Sequence, residues 1–295
     1  MAAVDATFGA LLLGVVISAI LYGVAVLQII FYYTRYTADS WYIKSLVLVV
    51  FISDTMHQAL ITHSVFTYLV TDIGAPAELG KIVWSLVVEV LFNAITAFLV
   101  QCFLMMRVYR LSNKNTIVTV SVMAVVLAEF IMSLIYVSKT LTYETFNELG
   151  GFKSLSSAIN ATTAASDIMI MGCLCYLLQK YRTGFRRSDA IITRLIIFSV
   201  NTGLLTSILA IASLITISLW PDDFIYIAFY FCLGRMYCNT LLATLNEVKE
   251  TTQSIVGASR RPLTNNIPIK PHELMKDDVQ DEQYFATSAE MKISV

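Results

Sequence analysis

Seven stretches of this chain are long enough and apolar enough to cross a lipid bilayer, and they decide its architecture before anything else is considered. They run roughly over Phe8–Tyr32, Ile43–Leu69, Ile82–Arg107, Thr116–Val137, Leu155–Leu178, Ile191–Leu219 and Phe224–Leu245. About 20 apolar residues suffice for one helical crossing. No proline interrupts any of them, so each is expected to be a continuous helix. Turn chemistry at Gly74-Ala-Pro76, Gly150-Gly151 and Pro221-Asp222-Asp223 separates several of the runs. Composition agrees, because only 14% of residues are charged and a water-soluble domain carries about 25%. The expected fold is an all-α membrane protein, a seven-transmembrane-helix bundle over 1–246 with a disordered tail over 247–295.

Charge sets the expected orientation. Arg35, Lys44, Arg107, Arg110, Lys114, Lys180, Arg182, Arg186, Arg187 and Arg194 fall on one side, against Lys81, Lys139 and Lys153 on the other. Loops rich in lysine and arginine stay in the cytoplasm. The N-terminus is therefore expected outside, and the tail inside. No basic residue precedes the first span, which reads as a retained anchor rather than a cleaved signal. In that span Ala10, Gly14 and Ser18 recur every four residues, a pattern that lets helices approach closely. The five cysteines all fall inside apolar runs and read as small buried hydrophobes. A net charge of −1 offers no excess of cations to phosphates, so no nucleic-acid partner is expected.

Inside the spans lie Asp54, His57, Glu89, Glu129, Asp167 and Arg235. Charges at that depth are costly and face a bundle interior or a partner. Helical spacing groups Asp54 with His57 and Gln58, Glu89 with Asn93 and Thr96, Asn160 with Asp167, and Arg235 with Asn239 and Asn246. Asn201, Thr202, Thr206 and Ser207 are the contribution of the sixth span. Such polar stripes should turn inward, since lipid offers no hydrogen bonds. At ~1.5 Å per residue, Asp54, Asp167 and Arg235 share a layer near mid-membrane, with Glu89 and Glu129 further out. Four acids against one arginine cannot all be charged cheaply. The expectation is an Arg235–Asp54 pair, with Glu89 or Glu129 holding a proton. The plainer alternative is a network that fixes helix register and does nothing else.

Other chemistry is thinly represented. His57, His63 and an acid invite comparison with a zinc site, but a catalytic zinc takes three protein ligands and the third histidine, His272, is in the tail. No metal, cofactor or catalytic residue is expected, and no nucleophile–base pair points to an enzyme. Asn160-Ala-Thr162 fits the glycosylation pattern but lies inside a span, out of reach of a glycan. Lys180, Arg182, Arg186 and Arg187 form a basic loop that enforces topology and could meet anionic headgroups.

Two stretches carry a resemblance. Arg182-Thr-Gly-Phe185 runs through Ser188-Asp189 and Arg194-Leu195 to Asn201-Thr-Gly-Leu-Leu-Thr-Ser207, and Tyr237-Cys-Asn-Thr-Leu-Leu-Ala-Thr-Leu-Asn246 follows. Together they resemble a multi-pass membrane protein family of mushroom-forming (basidiomycete) fungi catalogued as a domain of unknown function. The likeness is specific over the last third of the membrane region and loose over Phe8–Leu178. Members usually carry Ala-Arg after the final asparagine, where this chain has Glu247-Val248. The resemblance implies seven helices and a variable cytoplasmic tail, and it assigns no reaction.

The functional expectation is a receptor-like or sensory protein, with a transporter or channel using the intramembrane acids, or a structural scaffold, as alternatives. Its partners are the lipid bilayer, a small-molecule ligand within the bundle, and a cytosolic protein at loop 179–194 and the tail. The third span ends Arg107-Val-Tyr109 with no acid before the arginine, unlike the commonest G-protein-coupled class, and the seventh holds no lysine for a retinal Schiff base. Long spans favour the thicker plasma membrane.

Overall fold

The computed structural model describes residues 2–36, 39–72, 75, 80–145, 148, 153–182, 186–220 and 225–259, with side chains described except at 2–8, 153, 186–188, 190–191, 195, 198, 202 and 248–259. Seven helices occupy it: α1 (Ala2–Arg35), α2 (Trp41–Phe66), α3 (Trp84–Leu111), α4 (Thr116–Thr140), α5 (Lys153–Lys180), α6 (Arg186–Leu219) and α7 (Ile225–Ser259). All seven are long and apolar enough to cross a bilayer. The chain is an integral membrane protein. Among the described residues no strand forms; the one pairing is an isolated bridge between Lys81 and Thr145.

The helices follow one another around a ring, α1 closing against α7, and α3 also reaches inward to α5 and α7. Consequently α3 and α7 are the most enclosed spans, and α4 and α6 the most lipid-facing. Leu13, Ile20 and Leu27 of α1 are exposed, as are Leu204, Ile208 and Ile215 of α6. Such side chains face acyl tails in a membrane. All three tryptophans (Trp41, Trp84, Trp220) sit at helix ends and are exposed, where an aromatic belt meets the headgroups.

Local chemistry explains the boundaries. Asn115 caps α4, its side-chain oxygen accepting from the Ile117 amide at 3.1 Å. The tight α3–α4 turn puts Asn113 and Lys114 at φ 53° and 65°, a left-handed pair of which asparagine is the easier member. Beyond Phe66 the backbone of α2 widens into a π-helical turn over Thr67–Thr71. There buried Tyr68 donates to the Lys81 carbonyl and accepts from the Val83 amide, both at 2.9 Å. That clamp fixes the approach to α3 at the end of the bundle where α1 begins, called the leading end below.

Close packing joins the first helix to the last. A Cβ on Gly14 would stand 2.8 Å from the Ala228 Cα, so only glycine permits this approach. Asn239 donates to the Leu21 carbonyl at 3.0 Å and Asn246 to the Gln28 carbonyl at 3.3 Å. The small-residue stripe of α1 thus lets a polar stripe of α7 reach its backbone.

Two sequence expectations change here. The compositional break at Glu247 does not end the seventh helix, which continues to Ser259, no proline standing between them; residues 260–295 lie outside the described residues. Arg107, counted among the loop cations, is buried at the far end of α3, its guanidinium 5.9 Å from the Phe103 ring centroid. Removing it from the tally leaves the charge asymmetry in the same sense. The turn residues Gly74, Pro76, Gly150, Gly151 and Pro221–Asp223 also lie outside the described residues.

Candidate functional site

Among the described residues the buried acids of the interior gather in two polar clusters, one on each side of α3. The first is built around Arg235, whose relative exposure is 0%. Its Nη1 donates to Asp54 Oδ1 at 2.6 Å and to the Asp54 carbonyl at 2.7 Å. Nη2 donates to His57 Nδ1 at 2.7 Å, and Nε to Ser18 Oγ at 2.9 Å. Ser18 in turn donates to Gln58 Oε1 at 3.1 Å. The guanidinium carbon also lies 5.4 Å from the Tyr22 ring centroid, within cation–π range. The arginine that no lipid could accommodate is therefore met from α1 and α2 at every polar edge named here.

His57 extends this cluster to α3, its Nε2 lying 2.8 Å from Glu89 Oε2. A guanidinium only donates, so Nδ1 must accept and the ring proton must sit on Nε2; that N–H lies close to Glu89 but is not aligned to bond it, and neither His57 Nε2 nor Glu89 Oε2 has a hydrogen-bond partner among the described residues. Asn93, one turn along from Glu89, fills the space that Gly234 leaves: a Cβ there would stand 2.5 Å from Asn93 Oδ1. Ser53 and Thr96 tie α2 to α3 beside it, through Thr96 to Ser53 at 2.9 Å and Ser53 to the Phe92 carbonyl at 3.0 Å.

The second cluster is centred on Gln101. Its amide nitrogen reaches Glu129 Oε2 at 3.3 Å, Ser166 Oγ at 3.0 Å and Asp167 Oδ1 at 3.2 Å. Thr163 and Ser166 each donate to Glu129 at 2.8 Å, and Tyr237 donates to Asp167 Oδ2 at 2.9 Å. Glu129 consequently lies level with Asp167, not in the outer half as expected from counting residues. Among the described residues no cation touches either acid.

Two cavities flank these clusters. One, of ≈ 70 Å³, opens toward the leading end between α3, α4, α5, α6 and α7. Glu89, Asn160, Tyr136, Tyr226 and Tyr230 line it along with an apolar wall, and Ile82 and Thr140 stand near its rim. The other, of ≈ 30 Å³, lies beyond Asp167 and Tyr237 toward the opposite end.

The sequence-predicted residues distribute as follows. Asp54, His57, Glu89 and Arg235 form one connected group; Asn93 and Asn239 are buried beside it. Glu129 and Asp167 belong to the Gln101 group. Asn201 joins neither, because it is exposed on α6. It lies nine residues from buried Ala210, about two and a half turns, and so on the opposite face. The side chains of Thr202, Arg186 and Arg187 lie outside those described; Lys180 is exposed at the end of α5, and Arg182 donates to Thr193 at 3.1 Å. His63 bonds Ser85 at 2.8 Å rather than approaching His57. His272 lies outside the described residues, and among those described no group of three metal-binding side chains assembles. Gln101, Ser18, Ser166 and Tyr237 were not anticipated; the one available signal was an amide, hydroxyl or phenol recurring at mid-span.

Comparison with known proteins adds a single likeness. The sequence profile of a family of unknown function (DUF6534) matches residues 163–249. That segment spans most of α5, all of α6 and the membrane part of α7. It contains Asp167 and Arg235, one anchor of each cluster, and it brings no activity with it. No curated protein and no solved structure matches the chain.

Proposed function

We propose that this protein is a receptor-like membrane sensor that takes a small molecule into the cavity beside Glu89. One observation carries the reading: that cavity touches Glu89, and Glu89 stands 2.8 Å from the His57 ring that Arg235 holds. An occupant there would act on a charge network spanning α1, α2, α3 and α7. The basic excess near Lys180 and Arg182 supports a cytoplasmic position for the opposite end and an exterior N-terminus, and the long spans support plasma-membrane residence. A cytosolic partner would then meet the segment 179–194 and the tail. The motif resemblance supports a source among mushroom-forming fungi. No catalytic role is assigned.

A second reading, transport, is favoured by the paired cavities, with the Glu129–Gln101–Asp167 layer between them. Reconstitution separates the two. Full-length protein in nanodiscs, carrying a fluorophore at Lys180, is screened against small molecules for thermal stabilisation. The sensor reading expects that stabilising compounds change the fluorescence and do not cross the bilayer of proteoliposomes. Flux of the same compounds, abolished by Asp54→Asn, would replace it with transport.

A further inference from the structure

We infer that the Glu89 cavity is a site for a small organic amine, an apolar body whose ammonium group docks on Glu89 among Tyr136, Tyr226 and Tyr230. This rests on the ligand-cavity reading above and names its chemistry.

Charge is the first argument. Arg235 is the one cation in its cluster among the described residues, and Asp54 already answers it at 2.6 Å. Between it and Glu89 stands an imidazole whose roles the geometry fixes: Nδ1 accepts from the arginine, so Nε2 carries the ring proton, 2.8 Å from Glu89 Oε2 but not aligned to bond it. Glu89 therefore faces a neutral imidazole and not a charge, and its Oε2 has no hydrogen-bond partner among the described residues. Among the described residues no lysine, arginine or histidine lines the cavity. A carboxylate in such a wall gains most from a cation brought by the occupant.

The second argument is the polarity of the other free group. Ser213 Oγ donates to the Tyr226 carbonyl at 3.2 Å, so it can only accept from Asn160, whose Nδ2 stands 3.1 Å away. That assignment leaves Asn160 Oδ1 at the cavity wall with no partner, on a residue only 2% exposed. The site thus offers a carboxylate and an unused carbonyl oxygen, both acceptors. An ammonium with several N–H groups suits both, whereas a carboxylate or phosphate ligand would be repelled.

The walls supply the rest. Three tyrosine rings join Leu86, Val87, Val90, Ile159 and Ile227 around the space. Aromatic and aliphatic surface of this kind holds an apolar body, and aromatic faces attract cations. With an ammonium on Glu89, the carboxylate's claim on His57 weakens, and Arg235 can shift its hold toward Asp54.

The test uses three probes of matched shape on full-length protein in nanodiscs: 2-phenylethylamine, 2-phenylethanol and phenylacetate. Binding is followed by saturation-transfer NMR and thermal shift, in wild type, Glu89→Gln and Ile82→Trp. The amine should bind saturably, the alcohol at least tenfold more weakly and the acid not at all. Glu89→Gln should erase the preference for the amine, and Ile82→Trp, which fills the rim without touching the network, should block every probe. Should the alcohol match the amine, or the preference survive in Glu89→Gln, the amine assignment is overturned while the ligand cavity stands. Absence of saturable amine binding, or binding indifferent to Ile82→Trp, overturns it too. Passage of the amine across proteoliposomes would spare the amine and remove the sensor.

Discussion

The Arg235 and Gln101 clusters solve the same problem by different means. Both bury two carboxyl groups at mid-bundle, and both use α3 and α7. Around Arg235 a full positive charge meets Asp54 directly and Glu89 through a histidine. Around Gln101 a neutral amide bridges Glu129 and Asp167, with hydroxyls from Thr163, Ser166 and Tyr237 completing the shell. A charged centre is held by strong, mutually dependent contacts and fails badly when one is lost. An amide-bridged centre can accept a change in proton count without losing its geometry, since hydroxyls turn to donate or accept. The first is built to be rigid and the second to be adaptable.

The largest effect expected from breaking this contrast is at Arg235. Arg235→Met strands Asp54, and thermal unfolding of the purified protein should show a loss of about 3–5 kcal/mol. Adding Asp54→Leu to Arg235→Met should recover part of that loss, giving a strong coupling in the double-mutant cycle; additive effects would mean that the pair is not what holds the cluster. Gln101→Leu should cost less, about 1–3 kcal/mol, because it leaves buried oxygens short of a donor without stranding a charge. If it proves as damaging as Arg235→Met, the two centres are not different in kind. Smallest is a comparison of amides: Asn239→Ala removes one bond to the Leu21 carbonyl and should cost about 1 kcal/mol, whereas Asn201→Leu, on the exposed face of α6, should leave the unfolding temperature unchanged.

How far these features could be read from the chain alone follows from the same residues. Span length and apolarity located the seven membrane crossings to within a few residues, because a bilayer imposes one length on all of them; the last helix runs well past its crossing. The Arg235–Asp54 pair was legible because a lone cation at mid-membrane leaves few choices. Gln101 was not, since one amide in an apolar helix looks the same whether it bridges two acids or meets a carbonyl. Counting residues from the loops misjudged the level of Glu129, as it assumes upright helices of equal depth. Periodicity misplaced Asn201 for a related reason: α6 carries polar residues on two faces, and only the partner helix decides which turns inward. The cavity beside Glu89 depends on five helices at once and has no local signature.

The position of Arg235 in the chain has a consequence for how the protein is made. Asp54 and Glu89 leave the ribosome early, on the second and third crossings, while the guanidinium that answers them arrives on the seventh. Until then the membrane holds two acids with no counter-charge at their level, and the first helix waits without the Ala228 backbone that packs on Gly14. Assembly of the ring is therefore completed by its final segment. A chain truncated before that point would present the cell with an open, acid-bearing fragment and should be marked for removal.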